Sequence, residues 1–322
     1  MKKFLLGCLA AFLAMGMAGC AKQAAQPSPQ AAEGAGISVV ATIFPIYDFA
    51  REITRGTDAR VEMLLKPGIE SHSFDPAPSD IIKVQTADLF CYIGGESDAW
   101  VEQVLSGLDQ THMRPLKLID CVEGLGEEVV EGMQGAPHAH AQGDPDEGID
   151  EHIWTSPRNA RLMARTMAES LCAVDPKNAD AYQANLARYE KELVALDQSF
   201  VDVVEGGARR EIIFGDRFPF RYFANAYGLT YYAAFPSCSG ESEPSAATIA
   251  FLIKKIQEDA IPAIYHIEQG NLRTANVIAE ETGAVVLELH ACHNITKDAL
   301  AAGETYLSLM RKNVEALRVG LS

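Results

Sequence analysis

Two histidines lie in short segments whose other residues are acidic, aromatic or proline. His72 stands within the sequence GIESHSFDP of residues 68–76, and His152 stands within DEHIW of residues 150–154. Each segment has the pattern of a strand end that turns into a loop. Because an imidazole nitrogen is a good ligand for a divalent transition metal, two such loops facing one cleft would form part of a metal site.

Alternating strand and helix patterns surround His72 and predict the scaffold that positions it. Apolar strand runs occupy residues 37–42, 61–65, 89–93 and 116–119, and helices begin near residues 44, 79 and 100. This alternation is typical of a parallel sheet in an α/β fold. Ligands of such folds bind beyond the carboxyl ends of the strands, and His72 follows the second predicted strand.

A single long helix is predicted after residue 175. Its apolar residues recur every three or four positions, namely Ala179, Tyr182, Leu186, Tyr189, Leu193, Leu196, Phe200 and Val203, and Gly206-Gly207 ends it. About 30 residues at ~1.5 Å each span roughly 45 Å, enough to run along two domains. The stripe indicates a packing seam and not a cofactor site.

A second α/β unit follows that helix. Strands are predicted at residues 211–214, 230–234, 263–267 and 284–289, with helices at 220–227, 245–257, 274–282 and 304–317. The predicted fold class is α/β, with two parallel-sheet lobes joined by one long linking helix and a metal cleft between the lobes. The expected boundaries are 37–174 for the first lobe, 175–207 for the helix and 208–322 for the second lobe.

The N-terminus has the features of an export signal. Lys2-Lys3 precedes an apolar run over residues 4–18, which is shorter than the ~20 residues of a membrane-spanning helix. Small residues before Cys20 predict a lipoprotein, with residues 1–19 removed, Cys20 lipidated and residues 20–36 as a flexible tether. The alternative is an ordinary secretory signal. Both alternatives predict an extracytoplasmic protein, and the lipoprotein alternative also predicts that it is anchored to the cell membrane.

Charge and cysteine content narrow the class further. The formal net charge of −17 over 322 residues argues against a nucleic-acid partner and favours cations or simple solubility. Among the seven cysteines no pair has CxxC spacing, which argues against a structural zinc knuckle. Cys91, Cys121 and Cys172 are expected to be buried thiols. Cys238 and Cys292 lie in polar loops, where a disulfide, free thiols and metal ligation all remain open.

A further histidine pair lies in the predicted loop of residues 123–150. His138 and His140 belong to an acidic, glycine-rich stretch. Such a tract is typical of weak, exposed metal capture, although two incidental histidines in a loop would look the same.

The segments around His72 and His152 resemble the two N-terminal ligand loops of the zinc and manganese substrate-binding lipoproteins of ABC importers. In that family the first loop carries His followed by an aromatic residue, an acid and Pro, as residues 72–76 do here. The second loop is usually acid-Pro-His-x-Trp-Leu-x-Pro, whereas this chain has Glu151 in place of the first Pro and Thr155-Ser156 in place of Leu-Asp. The resemblance runs in order over residues 37–318.

The resemblance implies two further ligands from the second lobe. The family has a His or Glu just after the strand that matches residues 211–214, but here Asp216 is the ligand-capable residue, with Arg217 beside it as a charge-balancing group. The family's last ligand is an Asp at the position of His290, so we expect His290 to bind the metal. His266 is an alternative fourth donor, and Glu268 is expected to orient the ligands.

The function that this resemblance implies is metal capture without catalysis. Histidine in place of the family's Asp favours Zn²⁺ over Mn²⁺, because carboxylate-rich sites suit manganese. The expected protein is a monomer that delivers zinc to the permease of an ABC importer. The alternatives are a secreted zinc hydrolase, for which no HExxH or GxSxG motif is present, and a manganese-binding receptor or adhesin.

Overall fold

Short strands and intervening helices build the first part of the chain in strict alternation. The computed structural model describes residues 36–69, 74–133, 148–237 and 243–322. Four parallel strands in the order β2-β1-β3-β4 form the first sheet, namely β1 (Ser38–Ala41), β2 (Arg60–Met63), β3 (Leu89–Tyr92) and β4 (Arg114–Lys117). The helices between them are α1 (Phe44–Thr54), α2 (Pro78–Thr86) and α3 (Ala99–Gly107). Strand β3 is buried throughout, which accounts for its uninterrupted apolar sequence.

Two long helices follow the first sheet. Helix α4 (Pro157–Val174) begins with proline at its first position, and a short 3₁₀ turn at Pro176–Asn178 leads into α5 (Ala179–Gly206). The sequence predicts α5 but not α4. The buried face of α4 consists largely of alanine and methionine, and its residues Ala160, Met163, Ala164, Met167, Ala168 and Leu171 recur at helical spacing, as the buried residues of α5 do.

The second part of the chain repeats the strand order of the first. Parallel strands in the order β6-β5-β7-β8 form the second sheet, namely β5 (Glu211–Arg217), β6 (Thr230–Phe235), β7 (Ala263–His266) and β8 (Val285–Glu288). The helices are α6 (Arg221–Tyr227), α7 (Ala246–Glu258), α8 (Leu272–Thr282), α9 (Lys297–Ala301) and α10 (Tyr306–Gly320). The predicted fold class, two parallel-sheet units with one long helix between them, is confirmed.

Helix α5 joins the elements before it, here called the first half, to those after it, the second half. It packs against α1 and α4 of the first half and against α6 and α10 of the second. Its buried residues are Tyr182, Leu186, Tyr189, Leu193, Leu196, Phe200 and Val204. The predicted stripe is therefore the observed one from Tyr182 to Phe200, whereas Ala179 and Val203 are only partly buried and Val204 is buried instead.

Buried hydrogen bonds connect the two halves directly. The Asp48 carboxylate in α1 accepts the Tyr306 backbone N–H at 2.8 Å, and the Tyr306 hydroxyl donates to the Trp154 carbonyl oxygen at 2.7 Å. The Trp154 indole N–H in turn donates to the Ala291 carbonyl oxygen at 2.7 Å. One apolar core includes residues from both halves. The predicted domain boundaries remain predictions.

Several predictions concern residues outside the described ranges. The signal peptide, the tether and Cys20 fall there, as do His72, His138, His140 and Cys238. Within the described ranges, no helix is both long and apolar enough to cross a membrane. Cys91 is buried as predicted, whereas Cys121 and Cys172 are only partly buried.

Replacing Tyr306 by phenylalanine tests the connection between the halves. Tyr306→Phe removes the hydroxyl that satisfies the buried Trp154 carbonyl, so we expect the free energy of unfolding in urea to fall by about 1–3 kcal/mol. The matched control is Tyr47→Phe on the partly buried face of α1, where a change below about 0.5 kcal/mol is expected. Equal losses in the two variants would contradict the structural role of the Tyr306 hydroxyl.

Candidate metal site

His152 is a fully buried imidazole held by a neighbouring carboxylate. It lies just before the 3₁₀ turn Ile153–Thr155 that leads into α4. The Asp150 Oδ1 atom lies 2.8 Å from His152 Nδ1 and also accepts the His152 backbone N–H at 2.8 Å. A carboxylate on one ring nitrogen is the arrangement that fixes the tautomer and orientation of metal-binding histidines in known sites.

The charges of Asp150 and His152 stabilise each other. Burial alone lowers the pKa of His152, but the charge and hydrogen bond of Asp150 outweigh burial and leave that pKa raised. Burial likewise raises the pKa of Asp150, yet His152 and a hydrogen bond from Ser237 bring it below its ordinary value. Asp150 is therefore ionised near neutral pH. A cation bound at His152 would therefore lie near the negative charge of Asp150, whose carboxylate is hydrogen-bonded to the imidazole ring.

His293, in the loop after β8, brings a second imidazole to His152 from the other half. The two ring centroids are 4.5 Å apart at an interplanar angle of 71°. The indole of Trp154 packs against both, at 5.3 Å from His152 and 5.2 Å from His293. These three rings join the first half to the second at one point.

The loop that carries His293 is held by Glu268, which follows β7. Its carboxylate accepts the backbone N–H groups of Ala291 at 2.6 Å and of His293 at 3.1 Å. Burial raises the pKa of Glu268 to about 8, and the two backbone hydrogen bonds only partly oppose it. Between these two anchors Cys292 adopts a left-handed conformation with φ of 61°, which turns the chain sharply before His293.

Asn294 connects the same loop to the segment that leads to His72. Its side-chain amide donates to the carbonyl oxygens of Lys66 at 2.8 Å and of Ile69 at 2.6 Å. The Gly68 backbone N–H donates to the Ile295 carbonyl oxygen at 3.0 Å. His72 lies outside the described residues. The residues just before its segment, Lys66 to Ile69, are hydrogen-bonded to the loop that carries His293.

A small pocket adjoins the ring of His293. Its lining residues are Ile43, Ile93, Ser97, Asp98, Glu151, Trp154 and His293. Glu151 accepts the Ser97 backbone N–H at 2.8 Å and bonds to the Ser97 hydroxyl, and burial raises the pKa of Glu151 to about 7. Gly95 is required here, because a Cβ at this position would lie 2.8 Å from the Glu151 carboxylate.

The other predicted ligands lie at the carboxyl ends of the second-sheet strands. His290 Nδ1 lies 3.8 Å from Glu288 Oε1, and Asn313 bonds both its backbone N–H and its carbonyl oxygen. His266 Nδ1 lies 2.9 Å from the Ile267 carbonyl oxygen. Asp216 is buried against Gly270, with one oxygen receiving the Arg217 backbone N–H. In the part of the chain that the structure describes, no three His, Cys, Asp or Glu side chains are grouped to hold a metal ion.

His293 is the residue that the sequence prediction left out of the ligand set. The sequence HACH of residues 290–293 offers two histidines, and the resemblance pointed to the first. The turn at Cys292 brings the second one to His152. Cys292 itself is buried, and since Cys238 lies outside the described ranges the disulfide stays a prediction.

Comparison with known proteins gives one consistent family. The model of the zinc-uptake complex component A, periplasmic (ZnuA), matches residues 39–320. The chain is 30% identical over 319 residues to the zinc-binding lipoprotein AdcA of Streptococcus pneumoniae, covering 99% of this chain and 61% of that one. It is 29% identical over 293 residues to the high-affinity zinc uptake system protein ZnuA of Bacillus subtilis, covering 90% and 89% of the two chains. This chain thus spans only about three fifths of the AdcA proteins it matches.

A solved structure agrees with this comparison. The Zn(II)-bound ZnuA-like domain of Streptococcus pneumoniae AdcA superposes with a TM-score of 0.74 at 28% identity, covering 89% of this chain and 99% of that domain. The two-sheet architecture described above is therefore the architecture of that domain.

The role of Glu268 can be tested without any metal. Glu268→Ala leaves the Ala291 and His293 N–H groups without their side-chain acceptor, so we expect their amide hydrogen exchange to accelerate by about 10- to 100-fold. The matched control is Glu288→Ala, whose side chain is 43% exposed beside His290. Unchanged exchange at both amides in Glu268→Ala, measured by NMR, would contradict this anchoring.

Proposed function

This chain belongs to the family of the zinc-uptake complex component A, and we propose that it is an extracytoplasmic, lipid-anchored receptor for a divalent transition metal. Zinc is the proposed cargo, and Mn²⁺ is the alternative. The receptor would capture the ion between its two halves and deliver it to the permease of an ABC importer. It would carry out no catalysis.

The contact between His152 and His293 is the observation that carries the proposal. Each imidazole comes from a different half, and their ring centroids are 4.5 Å apart. Asp150 holds Nδ1 of His152 in the way that carboxylates hold metal-binding histidines. Two imidazoles fixed this closely, in a site whose neighbouring carboxylates are buried, suit a metal that prefers nitrogen ligands, which favours zinc over manganese.

His72 is the proposed third ligand. The backbone that leads to it is bonded to the loop of His293 through Asn294 and Gly68. Zinc in proteins usually has four ligands, so one further donor is needed. His290, His266 and Asp216 remain the candidates for it, with Arg217 as a charge-balancing group and His138 and His140 as accessory capture residues.

The carboxylates near the site favour binding over hydrolysis. A zinc hydrolase needs a carboxylate positioned as a general base toward the metal-bound water. Glu151 is bonded to Ser97, and Glu268 to two backbone N–H groups. Both side chains serve to hold loops in place.

Delivery to a permease and the lipid anchor rest on the relatives. The Bacillus subtilis relative is named for a zinc uptake system, and the Streptococcus pneumoniae relative is named a lipoprotein. The predicted lipidation at Cys20 fits the second of these names. Both features are proposals for this chain.

A competitive zinc titration of the chain from residue 21 onward tests the proposal. We expect 1:1 binding, with the dissociation constant raised more than about 100-fold in His152→Ala and in His293→Ala, because each loses a ligand. His112→Ala, on the exposed loop before β4, is the matched control and should bind as the wild type does. His290→Ala shows whether His290 is the fourth ligand.

Two results would contradict the proposal. Unchanged affinity in both His152→Ala and His293→Ala would exclude this site. Normal growth of zinc-starved cells that depend on a His152→Ala chain for zinc uptake would contradict delivery through this site.

A further inference from the structure

Glu128 connects the first half to the second near the proposed metal site. It lies in the segment of residues 122–133, which follows the first sheet. Its Oε2 atom nevertheless lies 3.0 Å from Arg221 Nη1 at the start of α6, and it accepts the Tyr231 hydroxyl of β6 at 2.8 Å. One carboxylate oxygen therefore binds two side chains of the other half.

Two further contacts attach the same segment to the second half. The Leu125 backbone N–H donates to the Tyr222 hydroxyl at 3.0 Å. Gly132 lies against the ring of Phe251 in α7, so closely that a Cβ would come within 2.1 Å of that ring. The segment thus follows the surface of α6, β6 and α7, and Glu128 supplies its ionic contact.

The segment is also bonded to the residues that orient His152. The Asp150 backbone N–H donates to the Leu125 carbonyl oxygen at 2.8 Å, and the Glu127 N–H donates to the Gly148 carbonyl oxygen at 2.7 Å. Gly126 and Ile149 form an antiparallel bridge between these two stretches. Three residue steps therefore separate the Glu128 contact from Leu125, which is bonded to Asp150, the residue that holds His152.

We propose that Glu128 is a positioning residue that slows the release of the metal by fastening the segment of residues 125–128 to Arg221 and Tyr231. This inference rests on the proposed function. A metal bound by His152 and His293 leaves when the two halves separate at that point. The contacts of Glu128 with Arg221 and Tyr231 cross the same boundary between the halves. When the halves separate, these contacts must break, or else the segment must stay with the second half and pull on Asp150.

The expected effect is moderate because the side chains are partly exposed, Glu128 by 43% and Arg221 by 26%. Loss of one screened ion pair and one hydrogen bond corresponds to a dissociation rate about three- to tenfold faster. Glu128→Gln keeps an oxygen that can accept the Tyr231 hydroxyl and should fall between the wild type and Glu128→Ala.

The test is stopped-flow release of Zn²⁺ into excess chelator from the wild type, Glu128→Ala, Glu128→Gln and a control, with melting temperatures measured in parallel. The control is Glu192→Ala, which removes an ion pair between Glu192 of α5 and Arg311 of α10 whose carboxylate is about as exposed as that of Glu128, at 48%. We expect faster release in Glu128→Ala at unchanged 1:1 stoichiometry, and wild-type release in the control.

Two outcomes would overturn the inference in distinguishable ways. Equal release rates in Glu128→Ala and Glu192→Ala, with tight zinc binding by the wild type, would overturn the role of Glu128 alone. Absence of zinc binding by the wild type would overturn the proposed function and this inference together.

Discussion

The buried side chain of Trp154 is the contact on which the arrangement of the site depends. Its indole N–H bonds the Ala291 carbonyl of the second half, and its own carbonyl accepts the Tyr306 hydroxyl. Its ring packs against His152 and His293. A large ring with a single polar N–H fixes both position and orientation when that N–H is bonded in the interior. The two imidazoles consequently meet although they lie 141 positions apart in the sequence.

The site also concentrates carboxyl groups that are buried, as Asp150 and Glu151 are, or partly buried, as Glu268 is, and this is costly unless each one is paired. Asp150 is paired with His152, Glu151 with Ser97, and Glu268 with the backbone of the His293 loop. Burial raises the pKa of Glu151 to about 7 and of Glu268 to about 8. These pairs hold the loops in place without an ion, which is the arrangement that the proposed binding requires, because ligands that are already positioned cost less to order.

The sequence is sufficient to predict the fold, whereas the predicted site residues remain predictions. Strand and helix patterns predict both sheets and α5, because most of these elements bury a regular apolar face or are buried throughout; α4 has such a face too but is absent from the predicted helices. His152 was selected from its acidic and aromatic neighbours, and its burial beside Asp150 is compatible with that choice. His293 could not be selected from the sequence. The left-handed turn at Cys292 and the long-range hydrogen bonds of Glu268 and Asn294 decide which histidine of residues 290–293 faces His152. Such contacts have no local sequence period.

The most direct test of this account is a crystal structure of the zinc-loaded chain with anomalous data collected on either side of the zinc absorption edge. The account predicts one strong anomalous peak within about 2.0–2.1 Å of a ring nitrogen of both His152 and His293. A single peak bound by other residues, with His152 and His293 still in ring contact and no metal between them, would contradict it.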